Sequence, residues 1–362
     1  MTALSEAFST SYQSSRTKFL HAAGKAGAQI LSVAHPDKGP DGEPLFMDFA
    51  SVGDSNAKCA LVLVAGTHGI EGFCGAGIQI NLLSNESVLD ALKDTRLILV
   101  HGHNPHGFAW LRRVNEDNID LNRNYVDFAE PQEVNEPYNG VKNLILPKVF
   151  NEASENALAE WTEANGLDQF QKIVMGGQRV DAQGLFYGGT TPAWSQMTMR
   201  ETLPTLVENQ SIVGLIDIHT GLGPYGHGDL IHAYAKGSEQ YDQLRAWYGE
   251  EMIAINAGEY GDVVAAVPRG PIVSSLDLLI PDKQSYGYVI EYGTVEFERV
   301  LKVLRADNWL HVHGDLDSEQ GLEIKDEMRA SFYCESDEWR QKIRIPAPPR
   351  HGRRDLRHAS QD

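Results

Sequence analysis

A buried apolar run that leads directly into chemically active side chains is the feature that most constrains this chain. Residues 61–64 are all apolar and predict a strand inside a sheet, which ends before Gly66. His68 and Glu71 follow, three positions apart at the start of a helix, so their side chains share one face and can hold one metal ion. Ligands of α/β sheets usually bind at this end of a strand. The segment therefore predicts a metal site at the edge of a sheet.

Further apolar runs alternate with helical patterns along the chain. Alternating strands and helices favour a mainly parallel sheet, so we predict an α/β fold. Strands are expected at residues 29–34, 45–50, 59–64, 96–101, 212–218 and 288–290. Helices are expected at residues 5–25, 72–93, 152–165, 237–256 and 294–305, and a long loop region at 102–140.

The charge of the chain argues against two classes of partner. Its 31 Lys and Arg against 50 Asp and Glu give a formal net charge of −19. Nucleic acid and anionic membranes both repel such an acidic surface, and no apolar run is long enough to span a bilayer. We therefore expect no nucleic-acid partner and no membrane partner.

Two features of the sequence favour the cytoplasm. Residues 1–25 are polar and lack an apolar signal core, so secretion is not indicated. Cys59, Cys74 and Cys334 cannot all pair with one another and show no C-x-x-C spacing, which favours reduced thiols. We expect a cytoplasmic protein.

The composition changes near the C-terminus. We expect one domain over residues 1–343 and a basic, Pro-rich tail over residues 344–362. Two interpretations of the tail stay open: an arm that lies on its own subunit or on a neighbour in a homo-oligomer, and a disordered terminus.

The predicted strand at 212–218 offers a third metal ligand, because it leads into His219. The carboxyl ends of neighbouring parallel strands meet at the same edge of a sheet, where His68 and Glu71 are also expected. Two His and one Glu form a hydrolytic zinc set that leaves one position open for water. Asp217 shares a strand face with His219, either as the hydrogen-bond acceptor of a ligand imidazole or as a buried structural carboxylate.

Glu291 lies inside an apolar run that ends at Gly293. Burying a carboxylate without partners costs several kcal/mol as an order of magnitude. A general base beside metal-activated water would explain its position. Half of a buried ion pair is the structural alternative.

The loop region carries three further candidates. Asn122 and Arg123 offer an amide beside a forked cation, and Arg binds carboxylates through two parallel hydrogen bonds. Arg113, ten residues earlier, is a candidate for holding the oxyanion of a scissile carbonyl. The structural alternatives are a turn residue for Asn122, a surface position for Arg123, and an ion pair with Glu291 for either arginine.

Together these motifs resemble the zinc carboxypeptidase superfamily, most of all the branch that includes succinylglutamate desuccinylase and aspartoacylase-like proteins. The resemblance covers residues 60–295, and residues 104–107 also resemble the family's Asn-Pro-Asp-Gly turn with His in place of Asp. It implies a three-layer α/β/α sandwich around a mixed, mainly parallel sheet. The motifs occur in the family's order: His68 and Glu71, Arg113, Asn122 and Arg123, His219, Glu291. The substrate-capping Tyr of the family has three candidates here: Tyr260, Tyr286 and Tyr292.

Other readings of the sequence are weaker. His101 and His103 share a strand face and could bind metal, but the same run holds no acidic ligand, so packing and hydrogen bonding are favoured. His103 is the candidate to form a hydrogen bond beside the metal site. The Gly-rich stretch at 174–195 lacks the phosphate-binding pattern. No G-x-S-x-G elbow marks a hydroxyl nucleophile.

The sequence and its resemblance lead to a zinc-dependent hydrolase of an amide bond next to a carboxylate-bearing residue. His68, Glu71 and His219 are expected to hold Zn²⁺. Glu291 and Arg113 are expected to be catalytic, and Asn122 and Arg123 to bind the substrate carboxylate. The substrate is a small peptide or, as an alternative, an N-acyl amino acid cleaved by a deacylase. A non-catalytic amino-acid or peptide binding protein is the alternative from another class.

Overall fold

The computed structural model describes residues 4–92, 94–255, 268–343 and 345. The predicted tail at 344–362 lies outside the described residues, apart from Ile345. No helix in the described part of the chain is long and apolar enough to cross a membrane.

Eight strands of the described residues form a single sheet. They are β1 (Gln29–Lys38), β2 (Pro44–Val52), β3 (Cys59–Ala65), β4 (Thr95–His101), β5 (Ile212–Tyr225), β6 (Gly228–His232), β7 (Met252–Ala254) and β8 (Gln284–Gly293). Their order across the sheet is β1-β2-β4-β3-β5-β8-β6-β7. The central strands β4, β3, β5 and β8 are parallel, whereas β1, β2 and β6 each pair antiparallel with a neighbour.

Helices cover both faces of this sheet. They are α1 (Leu4–Ala7), α2 (Tyr12–Lys25), α3 (Gly72–Leu83), α4 (Glu86–Ala91), α5 (Pro105–Ala109), α6 (Lys142–Ile145), α7 (Glu152–Asn165), α8 (Leu167–Met175), α9 (Trp194–Leu206), α10 (Glu239–Tyr248), α11 (Leu276–Leu279), α12 (Phe297–His313), α13 (Glu319–Phe332) and α14 (Asp337–Lys342). Short 3-10 turns lie at Gly69–Glu71, Leu121–Arg123, Glu136–Gly140, Gly249–Glu251 and Ile272–Ser274.

Alternate side chains of the central strands enter two separate cores. Leu63 of β3 packs in the larger core with residues of α2, α3, α12 and α13. Val62 and Val64 pack in the second core with residues of α9 and α11. Because successive residues of a strand point to opposite faces, an apolar run such as 61–64 is stable only when both faces are covered. The predicted α/β fold with a mixed, mainly parallel sheet and flanking helices is confirmed.

Several predicted boundaries were wrong. The helix expected at 237–256 ends at Tyr248, and β7 follows it. The helix expected at 5–25 is interrupted before Tyr12, where Ser11 caps α2 by accepting from the backbone N–H of Ser14. The helix expected at 72–93 is two helices, α3 and α4.

Candidate metal centre

A tight turn after β3 carries the first two candidate ligands. Gly66 has φ +80°, a conformation that L side chains rarely adopt, and reverses the chain at the end of the strand. Gly69 opens the 3-10 turn, and a Cβ there would lie 2.0 Å from the carbonyl carbon of Gly107. The backbone N–H of Gly69 donates to the carbonyl of Arg113 at 3.2 Å. This close approach brings the segment with Arg113 beside Glu71.

His68, Glu71 and His219 are brought together at the carboxyl end of β3, beside the middle of β5, because the strand expected to end at residue 218 continues to Tyr225. Nδ1 of His68 lies 2.8 Å from Oε1 of Glu71, and Nδ1 of His219 lies 2.9 Å from Oε2. The two Nδ1 atoms are 3.0 Å apart. All three side chains are buried. Within residues 4–92, 94–255, 268–343 and 345, they form the one group of three His, Cys, Asp or Glu that could hold a metal ion, with ligand atoms within 4.8 Å of one another.

Two carboxylates outside this group determine which imidazole nitrogens face each other. Asp217 Oδ2 lies 2.7 Å from Nε2 of His219, and Asp120 Oδ1 lies 3.2 Å from Nε2 of His68. A carboxylate accepts hydrogen bonds, so each Nε2 carries a proton and each neutral imidazole turns the lone pair of Nδ1 inward. Two lone pairs and the carboxylate of Glu71 then face one point. Such an arrangement needs a positive charge between its members, so the donor set fits a divalent cation.

The pKa values of His219 and Glu71 are both shifted by the attraction between the imidazoles and the carboxylates. Burial alone would lower the pKa of His219, but the carboxylates of Asp217 and Glu71 raise it well above its usual value. Burial alone would raise the pKa of Glu71, but the two imidazoles lower it to about 2. Without a metal, a second proton on His219 supplies the positive charge that the cluster requires.

A buried chain of hydrogen bonds continues outward from Asp217. The hydroxyl of Thr67 donates to Asp217 Oδ1 at 2.7 Å and contacts Nδ1 of His103 at 2.9 Å. Nε2 of His103 contacts the hydroxyl of Tyr125. Burial lowers the pKa of His103 to about 4, so the ring is neutral, donates through Nδ1 and accepts from Tyr125 at Nε2. Each hydrogen bond of this series donates towards Asp217. The carboxylate of Asp217 therefore only accepts, and His219 must donate to it through Nε2.

Glu291 lies next to the candidate ligands on the neighbouring strand. It is in register with His219 across the parallel pair β5 and β8. Its Oε1 accepts from the backbone N–H of Leu222 at 3.1 Å. Burial, together with the negative charge of Glu71, raises the pKa of Glu291 to about 8. A carboxyl group with this pKa can take up and release a proton near neutral pH.

Arg113 faces the cluster through Asp120. Its Nε donates to Asp120 Oδ2 at 3.0 Å, and its terminal nitrogen lies 3.8 Å from Oε1 of Glu71. Its guanidinium also lies 5.1 Å from the ring centroid of Phe186, which holds a φ of +56°. Arg113 is therefore held beside the cluster by a carboxylate and an aromatic ring.

Arg123 is oriented differently from Arg113. It is buried, and its two terminal nitrogens donate to the backbone carbonyls of Asn122 and Met175. Burial lowers the pKa of Arg123 to about 10. Among the described residues, Nε of Arg123 and Oδ1 of Asn122 have no hydrogen-bond partner. The expected carboxylate clamp therefore has one unused donor here, Nε of Arg123, because Oδ1 of Asn122 can only accept and the fork of Arg123 is engaged by the backbone.

Comparison with known proteins assigns the chain to a family. The profile of the family described as "Protein of unknown function (DUF2817)" matches residues 8–345. The chain belongs to this family. No curated protein matches the chain.

The chain is also similar to several solved structures at low sequence identity. Thrombin-activatable fibrinolysis inhibitor is 13% identical, with 91% of this chain and 75% of that one covered and a TM-score of 0.48. Carboxypeptidase A from Helicoverpa armigera is 12% identical, with coverage of 89% and 74% and a TM-score of 0.45. A succinylglutamate desuccinylase from Silicibacter sp. TM1040 is 12% identical, with coverage of 84% and 65% and a TM-score of 0.38. At such values, the roles of the site residues depend on this chain's own geometry.

The three candidates for a substrate-capping Tyr have different surroundings. Tyr260 lies outside the described residues. The hydroxyl of Tyr286 donates to Glu239 at 3.0 Å, on α10. The buried hydroxyl of Tyr292 has no hydrogen-bond partner among the described residues. In the described part of the chain, neither Tyr286 nor Tyr292 forms a hydrogen bond with His68, Glu71 or His219, so the capping role stays a prediction.

Sequence reasoning missed several residues that orient the site. Asp120, Thr67 and Tyr125 were not singled out, although each bonds directly or through one neighbour to a side chain that was. The sequence gives a weak indication of Thr67 and Asp120, because Thr67 directly precedes His68 and Asp120 lies three residues before Arg123. Tyr125 carries none, since its role depends on the fold of the loop.

Proposed function

We propose that this chain is a zinc-dependent hydrolase that cleaves an amide bond next to a carboxylate-bearing residue. The observation that carries the proposal is the cluster of three electron-rich donors, Nδ1 of His68, Nδ1 of His219 and the carboxylate of Glu71, within 3.0 Å of one another. Two imidazoles and one carboxylate form a zinc set of hydrolytic enzymes. Bound zinc would lower the pKa of a water molecule and polarise the scissile carbonyl.

Glu291 is the proposed general base. Its carboxylate takes a proton from the attacking water and then returns it to the leaving amine. The pKa of about 8 supports this role, because efficient proton transfer in both directions needs a group that titrates near the operating pH. The N–H of Leu222 holds one carboxylate oxygen, which leaves the other available for the water.

The two arginines have separate proposed roles. Arg113, held beside Glu71 by Asp120, donates to the carbonyl oxygen as negative charge develops on it. Arg123 binds the carboxylate of the substrate through Nε, which has no partner among the described residues, and Asn122 donates to it through its amide nitrogen. A carboxylate entering there would satisfy both the buried Nε of Arg123 and its positive charge.

Two alternative functions, a deacylase and a binding protein, would use these residues differently. An N-acyl amino acid deacylase would use the same water, base and arginines, and differs from a peptidase only in the size of its pocket and the depth of its carboxylate clamp. A binding protein would have no need of Glu291, whose burial beside Glu71 raises its pKa and has a cost in stability. The cost of burying this carboxyl group favours catalysis over binding alone.

The test is a panel of short peptides and N-acyl amino acids, assayed with zinc-loaded and chelator-treated protein. We expect hydrolysis that chelator abolishes and zinc restores. Glu291→Gln should retain zinc and lose at least about 10²-fold in kcat, because the base is removed while the metal donors remain. Glu319→Gln, an exposed position on α13, is the matched control and should behave as wild type.

Two results would contradict the proposal. A Glu291→Gln protein with full activity would remove this residue from the mechanism. Zinc-loaded protein that binds members of the panel but hydrolyses none of them would favour the binding-protein alternative.

A further inference from the structure

Phe186 has a backbone conformation that a bulky residue rarely adopts. Its φ is +56°, in the left-handed region, where Gly is unstrained and a side chain crowds the backbone. The residue is also buried, with 3% of its surface exposed. Strained backbone of this kind persists where the surrounding structure enforces it, and it concentrates at functional sites. The conformation of Phe186 therefore indicates that its side chain has a specific position to fill.

Hydrogen bonds from the backbone of this segment hold the conformation. The carbonyl of Phe186 accepts from the backbone N–H of Gln178 at 3.1 Å. The carbonyl of the next residue, Tyr187, accepts from the backbone N–H of Asp120 at 2.8 Å. The side chain of Asp120 in turn accepts from Nε of Arg113 at 3.0 Å. The segment with the ring and the side chain of Arg113 are therefore both held by Asp120.

The ring of Phe186 lies beside both arginines of the proposed site. The guanidinium carbon of Arg113 is 5.1 Å from the ring centroid, and that of Arg123 is 5.7 Å from it. Both distances are within the range of about 6 Å in which the face of an aromatic ring attracts a cation. Arg123 is buried, as Phe186 is, and this attraction is stronger where water is excluded. One ring therefore contacts the two cations that are proposed to hold the substrate.

The charges of the two arginines act against each other. Burial, and then the positive charge of Arg113, lower the pKa of Arg123 to about 10, whereas the carboxylate of Asp120 raises it. Hydrogen bonds hold each guanidinium in its own surroundings: Arg113 bonds to Asp120, and Arg123 bonds to two backbone carbonyls. The aromatic ring attracts both guanidiniums at once. It therefore opposes their repulsion and restrains the distance between them.

The distance between the two arginines has a counterpart in the substrate. In the proposed mechanism, Arg113 donates to the scissile carbonyl and Arg123 binds the carboxylate. The separation of these two groups depends on how many carbon atoms lie between the amide nitrogen and the carboxylate. One added carbon displaces the carboxylate by more than about 1 Å, and a misplacement of about 1 Å can cost about 10²-fold in rate.

We propose that Phe186 is a positioning residue that determines specificity: its ring fixes the separation of Arg113 and Arg123. The protein then prefers substrates whose carboxylate is on the carbon next to the scissile amide nitrogen over substrates with one more carbon between these groups. This inference rests on the proposed hydrolase function and applies to its peptidase and deacylase forms alike. Phe186 acts through the two arginines and takes no part in the chemical step.

The experiment compares isomeric substrates with zinc-loaded protein. N-acetyl-alanine and N-acetyl-β-alanine have the same atoms and the same charge, but the β isomer has one more carbon between the amide nitrogen and the carboxylate. The N-acetylglycyl derivatives of the same two amino acids form a second pair, which suits a peptidase. We expect wild type to prefer the alanine isomer of the hydrolysed pair by about 10²-fold in kcat/KM.

Phe186→Leu keeps an apolar side chain but lacks the aromatic face that attracts cations. We expect the ratio of alanine to β-alanine kcat/KM to fall at least about tenfold, while the zinc content stays that of wild type. Phe186→Gly, which removes the ring together with the backbone strain, should give the same loss of selectivity.

Phe49→Leu is the matched control. Phe49 is 1% exposed on β2 and packs in the second core, so that its replacement removes a buried ring of the same kind away from the arginines. It should keep the wild-type ratio. Equal rates for the two isomers in wild type, or an unchanged ratio in zinc-loaded Phe186→Leu or Phe186→Gly, would overturn the role of Phe186 and leave the hydrolase proposal standing.

If wild type hydrolyses none of the four compounds, the hydrolase proposal fails, and titration calorimetry with the same compounds then tests Phe186 separately. Tighter binding of the alanine isomer in wild type that is lost in Phe186→Leu would support the role of the ring. Equal affinity for the two isomers in wild type would contradict it.

Discussion

At the residue scale, the chemistry of the cluster depends on which nitrogen of each imidazole carries the proton. Asp217 accepts from Nε2 of His219 and from Thr67, so the neutral form of His219 turns the lone pair of Nδ1 towards the proposed metal position beside Glu71. The same logic links Asp120 to His68. Carboxylates that hold a ligand imidazole commonly contribute 10–100-fold to metal affinity, as an order of magnitude.

Asp217→Asn should therefore weaken zinc binding by about 10–100-fold. The amide has the same shape but can accept through only one atom, so it cannot hold both His219 and Thr67 in their present orientation. Zinc affinity measured by competition with a chromophoric chelator checks this expectation. Asp168→Asn, at an exposed position on α8, is the control. An unchanged zinc affinity in Asp217→Asn would show that the orientation of His219 does not depend on this carboxylate.

The residues that the sequence could indicate are those that follow an apolar run. His68 and Glu71 come just after the buried strand β3, His219 follows the apolar run 212–218 inside β5, and Glu291 is a charge inside β8. Asp120 and Tyr125 lie in a loop, where no periodic pattern indicates direction. The engagement of Arg123 with backbone carbonyls was likewise outside the reach of the sequence, because it depends on the position of Met175.

At the element scale, a buried histidine connects α2 to the sheet. Nε2 of His101, the last residue of β4, lies 2.9 Å from the hydroxyl of Ser15 on α2, and the ring stacks on Phe19 at 4.7 Å. Burial lowers the pKa of His101 to about 4. The unfolded chain, with a pKa near 6.5, takes up a proton first as the pH falls. Stability is therefore lost between pH 6.5 and about 4.

His101→Phe should make the free energy of unfolding less dependent on pH. This single ring should cost wild type about 2 kcal/mol of stability on going from pH 7 to pH 5, whereas phenylalanine cannot be protonated. Urea unfolding at several pH values measures the difference. His227→Phe is the control, since His227 is 65% exposed. The loss of the Ser15 bond lowers stability at every pH, so only the slope is diagnostic. A slope equal to that of wild type would contradict the assignment.

The type of a secondary-structure element could be predicted where its sequence pattern was long. The residues at which an element begins and ends were harder to predict. The strand at 59–64 and the helix at 152–165 agree closely with β3 and α7, because one has a continuous apolar run and the other ends at Gly166. The short strand β7 was read as part of a helix, since three residues are too few to show a period. Its assignment depends on pairing with β6, which is a tertiary contact.

At the scale of the whole molecule, the site depends on the order of strands. His68 and His219 are 151 positions apart in sequence but have Nδ1 atoms 3.0 Å apart, because β5 lies between β3 and β8. Alternation of strands and helices predicts a parallel sheet but not which strands are neighbours. The expectation that His219 meets His68 and Glu71 therefore assumed that their strands are neighbours, and the order β3-β5-β8 shows that they are.

The most direct test of the account is the anomalous difference map of a crystal grown from metal-free protein and soaked with zinc. We expect one strong peak at about 2.0–2.1 Å from Nδ1 of His68 and from Nδ1 of His219, with Glu71 as the third protein ligand. A crystal that takes up zinc elsewhere while leaving these three side chains without a peak would contradict the metal site and, with it, the proposed hydrolase.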